Sequence, residues 1–190
     1  MSLLLGADGL LRCSWAGTTP DYLDYHDLEW GRPAHGEAAL FERITLEAFQ
    51  SGLSWLTILR KRPAFRVAFA DFDPDTVAGF GPEGRDRLLS DASIVRNRAR
   101  IDAAIHNAGA VVELRRAGGL DELVHAHTPA RHHRPGPDDP IPDRTAESVA
   151  LAKDLKAHGF VFVGPVTAYA TMQACGLVDD HRRGCFRSGE

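Results

Sequence analysis

The chain has 190 residues, of which 44% are hydrophobic, and this is enough to build the core of a single domain. Its net charge of −4 excludes a general electrostatic attraction to nucleic acid, so any such binding would need a local basic surface. The longest apolar runs fall well short of the roughly 20 residues that cross a bilayer, which excludes a membrane-spanning protein. We therefore expect one domain over residues 1–190.

The cysteines and the first residues bear on the compartment. Residues 1–11 lack a basic start and a small-residue cleavage site, so we interpret them as an ordered or frayed tail and not as a secretion signal. Three widely spaced cysteines in such a chain argue against a disulfide framework and favour metal ligation or burial. We expect a cytoplasmic protein in which Cys175 is buried.

Prolines indicate where several helices begin, because a proline fits the first helical turn. Helix starts are predicted at Pro20, Pro63, Pro74, Pro82 and Pro165. Patterns typical of strands are scarce, so the predicted fold class is all-α.

In the first half of the chain the apolar residues recur at helical spacing from Leu40 to Ala48. This spacing predicts a helix over residues 37–51 with one buried stripe. Residues 55–62 and 63–70 are interpreted as two further short helices.

The second half is predicted to contain a helix pair, a long loop and two more helices. The proline content of residues 117–143 is typical of a flexible loop, while Thr145 and Gly159 suit the cap and the stop of the helix that follows. The predicted elements are helices at 82–89 and 96–116 forming a helix-hairpin-helix element within 82–100, the loop at 117–143, a helix at 145–158, an extended stretch at 160–164 and a helix at 165–176.

Glu47 is the first candidate for chemistry. On a helical wheel it falls over Leu40 and beside Ile44, so its carboxylate projects at the edge of the apolar stripe and needs a partner. A structural ion pair with Arg43 or Arg60 and a functional role are both open.

Aromatic residues surround Glu47 in the sequence. Aromatic faces together with one buried acceptor could hold a planar, cationic base by stacking and cation–π attraction. Helix-like spacing also permits plain core packing for some of them. The set comprises Trp15, Tyr22, Tyr25, Trp30 and Trp55.

A third candidate group joins the two ends of the chain. Two thiolates and two imidazoles suit tetrahedral zinc, and with every position filled by protein such a zinc would be structural. Alternatively, His26 is a capping or core histidine and Cys13 an unpaired buried thiol. His132 and His133 lie in the predicted loop and are expected to be exposed. The candidate ligands are Cys13, His26, His181 and Cys185.

The segment after residue 90 carries Arg96, Arg98 and Arg100 at the start of a predicted helix. Unpaired amides at the positive end of a helix bind phosphate, so this hairpin is a candidate clamp for a DNA backbone. An ordinary helical hairpin with a solvated arginine face is the other interpretation, and the local pattern alone favours it.

Several motifs together closely resemble the 3-methyladenine DNA glycosylase I family, within the helix-hairpin-helix DNA glycosylase superfamily. The similarity covers about residues 12–185 with the motifs in the family's order. The matching segments are Arg12–Trp15, Tyr25–Gly31, Leu46–Trp55, Ile94–Arg98, Gly159–Gly164 and Met172–Leu177.

This resemblance implies a helix-hairpin-helix glycosylase fold and hydrolysis of the N-glycosidic bond of 3-methyladenine in double-stranded alkylated DNA, in a family that lacks the usual catalytic aspartate. It also implies one structural zinc per chain on the four ligands above. Glu47 would be the catalytic residue, and the five aromatic residues would bind the base. The hairpin would contact the DNA backbone through Ser93, Arg96 and Arg98.

Two departures from the family stand out. The hairpin has Ser93 where the family usually has glycine, and neither the loop at 117–143 nor the N-terminal extension matches the family. Because only Lys61 lies near the motifs, we expect a monofunctional enzyme that forms no Schiff base and cleaves no strand. We also expect a monomer that uses no nucleotide cofactor. A non-catalytic DNA-binding module and a zinc-dependent hydrolase are the competing functions, and release of 3-methylguanine is an open question.

Overall fold

The computed structural model describes residues 3–189, and the chain is mostly helical, as predicted. An antiparallel hairpin of β1 (Leu3–Leu5) and β2 (Leu11–Cys13) replaces the predicted tail, with Leu3 opposite Cys13. The helices are α1 (Pro20–Leu28), α2 (Glu37–Gln50), α3 (Trp55–Ala68), α4 (Pro74–Ala78), α5 (Pro82–Ser90), α6 (Arg98–Leu114), α7 (Gly119–His125), α8 (Ala146–Ala157) and α9 (Pro165–Ala174).

Helix α2 lies at the centre and packs against α3, α6, α7 and α9. The predicted apolar stripe is confirmed, because Leu40, Phe41 and Ile44 are completely buried. The same burial extends to Glu47 near the end of the helix. Glu42 on this helix is also buried, but it pairs with Arg66, whereas Glu47 continues the apolar stripe.

The predicted break between residues 62 and 63 is wrong. Pro63 lies inside α3, whereas four of the five predicted proline starts are confirmed. A proline inside a helix costs roughly 3 kcal/mol. The buried ring of Phe65, 4.8 Å from that of Phe49, continues the core contacts beyond the proline and offsets this cost.

Two other predicted segments differ from the structure. The loop predicted at 117–143 contains α7, whose Leu120 and Val124 are completely buried in the core; consecutive glycines at its start concealed the helix. The stretch at 160–164 forms no strand with any described residue, and Phe162 adopts a φ of +59°. The helix at 145–158 is confirmed, with a capping box at Thr145.

Along residues 3–189 no helix has both the length and the apolar character needed to cross a membrane.

Candidate functional site

A cavity of about 380 Å³ opens where α1, α2, α3 and α9 meet. The structure brings together all six residues predicted for the base pocket in its wall: Trp15, Tyr22, Tyr25, Trp30, Glu47 and Trp55. Sequence analysis missed four further lining residues, Thr18, Gln50, Ala170 and Gln173.

Edge contacts between the aromatic rings set the shape of the cavity. Trp15 packs edge-on against Tyr22 at 5.7 Å and against Trp30 at 5.2 Å, and Tyr25 lies 5.6 Å from Trp55. The Tyr22 hydroxyl accepts a 3.0 Å hydrogen bond from the Leu56 amide in the first turn of α3. These contacts hold the rings in fixed orientations around an apolar space.

The carboxylate of Glu47 is buried without a counter-ion. Glu47 is 7% exposed, and its side chain makes no hydrogen bond or ion pair with any residue in the range 3–189. The ion pairs considered from sequence do not form, because Arg43 donates to the Ala39 carbonyl and Arg60 pairs with Asp21. Burial raises the pKa of Glu47 to about 8. A cationic ligand in the cavity would supply the missing positive charge.

The indole N–H of Trp55 is a second unsatisfied group in this wall. Its Nε1 atom is buried and finds no acceptor among the described residues. Buried polar groups are usually hydrogen-bonded, so an unpaired donor beside an unpaired carboxylate indicates a site shaped for a polar ligand.

The predicted metal ligands also meet. All four are buried, and their ligand atoms lie within 4.8 Å of one another. The Cys185 sulfur is 3.4 Å from His26 Nε2 and 3.8 Å from His181 Nδ1, and the Cys13 sulfur is 3.9 Å from His181 Nδ1. A tetrahedral zinc ion separates its ligand atoms by about 3.5 Å, so the cluster has room for a metal of this kind.

The protonation of the two cysteines and the hydrogen-bond partners of the two histidines also suit a metal. Interaction between the two thiols lowers the pKa of Cys185 and raises that of Cys13, which favours a thiolate at Cys185. His26 Nδ1 lies 2.7 Å from Asp27, and His181 Nε2 lies 3.1 Å from the Trp30 carbonyl. Such outer partners orient the ligating nitrogen atoms towards a metal.

The cluster supports the wall of the cavity from behind. The ring of Trp15 lies 5.2 Å from that of His26, and the ring of Trp30 lies 4.6 Å from that of His181. The geometry of the cysteine–histidine cluster and the shape of the pocket therefore depend on each other.

The predicted hairpin joins α5 to α6 through residues 91–97. Arg96 and Arg98 are exposed, and neither guanidinium contacts an acidic residue within residues 3–189. Arg100 instead donates to the carbonyls of Phe49 and Ser51 and caps the end of α2.

Ser93 fits its position without strain, since its φ is not in the left-handed region that favours glycine. Both its amide and its hydroxyl donate to the Asp91 carboxylate, at 2.8 and 2.5 Å. Lys61, which sequence analysis did not place here, donates to the carbonyls of Ala92 and Ser93. In this conformation a phosphate would have to replace Asp91 to reach the donors of Ser93.

The predicted exposure of His132 is wrong. Its side chain is largely buried, and Nε2 lies 3.1 Å from Asp180 Oδ1. His133 is exposed and Cys175 is buried, as predicted.

Comparisons with known proteins place the chain among enzymes of one kind. The sequence model of the methyladenine glycosylase family matches residues 15–188. The chain is 40% identical to the DNA-3-methyladenine glycosylase of Haemophilus influenzae, across 92% of this chain and 96% of that protein. It is 44% identical to the DNA-3-methyladenine glycosylase 1 of Escherichia coli, across 92% and 95%.

Solved structures agree with the sequence comparisons. A crystal structure of 3-methyladenine DNA glycosylase I is similar at a TM-score of 0.88 and 43% identity, over 93% of this chain and 99% of that one. The Staphylococcus aureus enzyme, in a structure that describes its recognition of 3-methyladenine, is similar at a TM-score of 0.87 and 34% identity, over 94% and 97%.

The buried carboxyl group of Glu47 should make the stability of the protein depend on pH. Because its folded pKa is raised from 4.5 to about 8, its contribution to stability is complete below about 4.5 and is lost as the pH rises through about 8. At pH 9 Glu47→Gln should raise the free energy of unfolding by on the order of 5 kcal/mol, from 1.36 kcal/mol per pKa unit.

Urea denaturation between pH 4.5 and 9 measures this effect. The advantage of Glu47→Gln over the wild type should vanish near pH 4.5, and the exposed control Glu113→Gln should show no such trend. A constant difference across the whole pH range would contradict the buried, unpartnered carboxylate.

Proposed function

The chain belongs to the methyladenine glycosylase family, and we propose that it hydrolyses the N-glycosidic bond of 3-methyladenine in double-stranded alkylated DNA, with Glu47 as the residue that recognises the charge of the damaged base. The observation that carries this proposal is the buried Glu47 carboxylate, which has no counter-ion among residues 3–189 and is enclosed by aromatic rings. Methylation at N3 gives adenine in DNA a positive charge that normal adenine lacks. Aromatic faces and a carboxylate both attract such a cation.

The reaction needs little acid catalysis. A nucleotide is flipped out of the duplex into the pocket, at an unstacking cost of a few kcal/mol that is lower for a damaged base. As the C1′–N9 bond breaks, both bonding electrons go to the cationic purine, which leaves as a neutral molecule. Water then forms the new bond to C1′ and releases a proton to solvent. Glu47 favours the cationic base electrostatically, and the aromatic side chains stack on its faces.

The proposal includes a monofunctional mechanism without strand cleavage. A Schiff-base intermediate would need a free amine at the sugar, and the described pocket wall contains no lysine. The amine of Lys61 donates to two hairpin carbonyls. Both observations support hydrolysis by water.

For DNA binding we propose that the hairpin at 82–100 contacts the phosphate backbone through Ser93, Arg96 and Arg98. The two exposed arginines have no ion-pair partner in the part of the chain that the structure describes, and they offer local positive charge on a chain of net charge −4, which supports this role. The Ser93 donors become available to phosphate once they leave Asp91.

We further propose that the buried cluster holds one structural zinc ion. Its two cysteines and two histidines would fill a tetrahedral zinc site, which leaves no position for an activated water. The zinc would tie the β2–α1 region to the C-terminal segment and support Trp15 and Trp30 from behind. A single domain, a monomeric state, the absence of a nucleotide cofactor and a cytoplasmic location stay predictions.

Base release from methylated duplex DNA tests the enzymatic proposal. The wild type should release free 3-methyladenine, and kcat/KM should rise with pH to a plateau above about 8, because Glu47 must ionise to attract the cation. Glu47→Gln should lose about 100-fold in rate, a loss typical when one electrostatic partner is removed from a dry site. Release by Glu47→Gln at the wild-type rate would reject the role of Glu47, and binding without release would indicate a non-catalytic module.

Elemental analysis tests the metal proposal. The purified protein should contain one zinc per chain, and Cys13→Ala should lose it, whereas the matched control Cys175→Ala should keep it because that buried thiol lies outside the cluster. A zinc-free wild type with an unchanged melting temperature would contradict the ligand set.

Salt-dependent DNA binding tests the hairpin. Combining Arg96→Ala and Arg98→Ala should weaken binding to methylated and unmethylated duplexes alike and reduce the slope of log K against log salt by about 0.9 per lost phosphate contact. Arg144→Ala, an exposed arginine paired with Asp143, serves as the control. An unchanged slope in the double variant would place the DNA contact elsewhere.

A further inference from the structure

Gln173 is a pocket residue that carries no charge and offers no aromatic face to a bound base. It lies in the last turn of α9 and lines the same cavity as Glu47. Its side-chain Nε2 donates a 2.7 Å hydrogen bond to Asp180 Oδ2. Because the amide nitrogen is the donor in this bond, the bond fixes which end of the amide faces Asp180. The nitrogen faces Asp180, and the oxygen Oε1 is left for another donor.

Asp180 is held firmly in place. It is 2% exposed, and its Oδ2 also accepts a 2.7 Å hydrogen bond from the Tyr169 hydroxyl. Its Oδ1 lies 3.1 Å from Nε2 of His132, in the loop that follows α7, and the same nitrogen lies 2.9 Å from the Asp179 carbonyl. A carboxylate held from three sides cannot rotate, so it keeps Gln173 in one orientation.

The Oε1 atom of Gln173 has no donor partner within residues 3–189. Gln173 is partly exposed and lines the cavity, so this oxygen is an oriented acceptor that awaits an N–H group. The pocket therefore offers a neutral acceptor in addition to the charged one on Glu47.

Charge alone does not separate the methylated purines. Adenine and guanine methylated at N3 are both cations in DNA, so Glu47 and the aromatic rings attract both. They differ at position 6, where adenine has an amino group and guanine has a carbonyl oxygen. An amino group can donate to a fixed acceptor, whereas a carbonyl oxygen would leave two acceptors facing each other.

We propose, on the basis of the function proposed above, that Gln173 Oε1 accepts a hydrogen bond from the exocyclic amino group of 3-methyladenine and so determines the preference for adenine over guanine. Gln173 is a specificity-determining residue in this account. Asp180 is a positioning residue, because it acts only by orienting the amide of Gln173.

The test compares kcat/KM for release of 3-methyladenine and of 3-methylguanine from duplex DNA methylated with dimethyl sulfate. The wild type should favour 3-methyladenine, and Gln173→Leu, which is of similar size and lacks the acceptor, should reduce that preference at least about tenfold. Asp180→Asn lets the Gln173 amide adopt either orientation. The preference of this variant for 3-methyladenine should therefore lie between that of the wild type and that of Gln173→Leu. This second variant and thermal denaturation of each protein keep the test valid if Gln173→Leu folds poorly.

Gln50→Leu is the matched control, because Gln50 lines the same cavity from α2 and has no bond to Asp180. Whatever its rate, its preference between the two bases should equal that of the wild type. An unchanged preference in Gln173→Leu, or an equal loss in Gln50→Leu, would overturn the inference. A wild type that releases neither base would instead reject the proposed function.

Discussion

A carboxylate enclosed in apolar surroundings, with no counter-ion among the described residues, is the constraint on which the site depends. Glu47 lies on the buried stripe of α2, and burial raises its pKa to about 8. The folded protein tolerates this unfavourable group in a cavity that a cation can enter. The buried carboxylate lowers the stability of the free protein, and a bound cation offsets this cost. Normal adenine is neutral and cannot offset it.

The remainder of the fold maintains this environment. The rings around Glu47 contact one another edge-on, and two of them rest against histidines of the cysteine–histidine cluster. That cluster joins residues separated by most of the chain, so the ends of the sequence support the centre of the pocket. Asp180 precedes His181 of the cluster and accepts a hydrogen bond from Gln173, which connects the opposite wall of the pocket to the cluster.

Much of the helical fold and of the candidate site could be predicted, because helical periodicity and residue chemistry are local signals. Glu47 was recognisable as a charge on an apolar stripe, and the cluster at Cys13 by its ligand types. Gln173 was missed because a glutamine on a helix is typical of a surface, and only tertiary contact brings it to Asp180. Tertiary packing also overrode local signals at Pro63, where buried phenylalanines continue the helix, and at α7, where glycines concealed its start.

Carbon-13 NMR of the Glu47 side-chain carboxyl, assigned with Glu47→Gln, measures the central claim directly. In the free protein this carboxyl should titrate near pH 8. Addition of 3,9-dimethyladeninium, a permanently charged base with no sugar to lose, should shift the titration to lower pH as the cation stabilises the ionised form. A carboxyl that titrates near 4.5 in the free protein, or one that ignores the cation, would contradict the account.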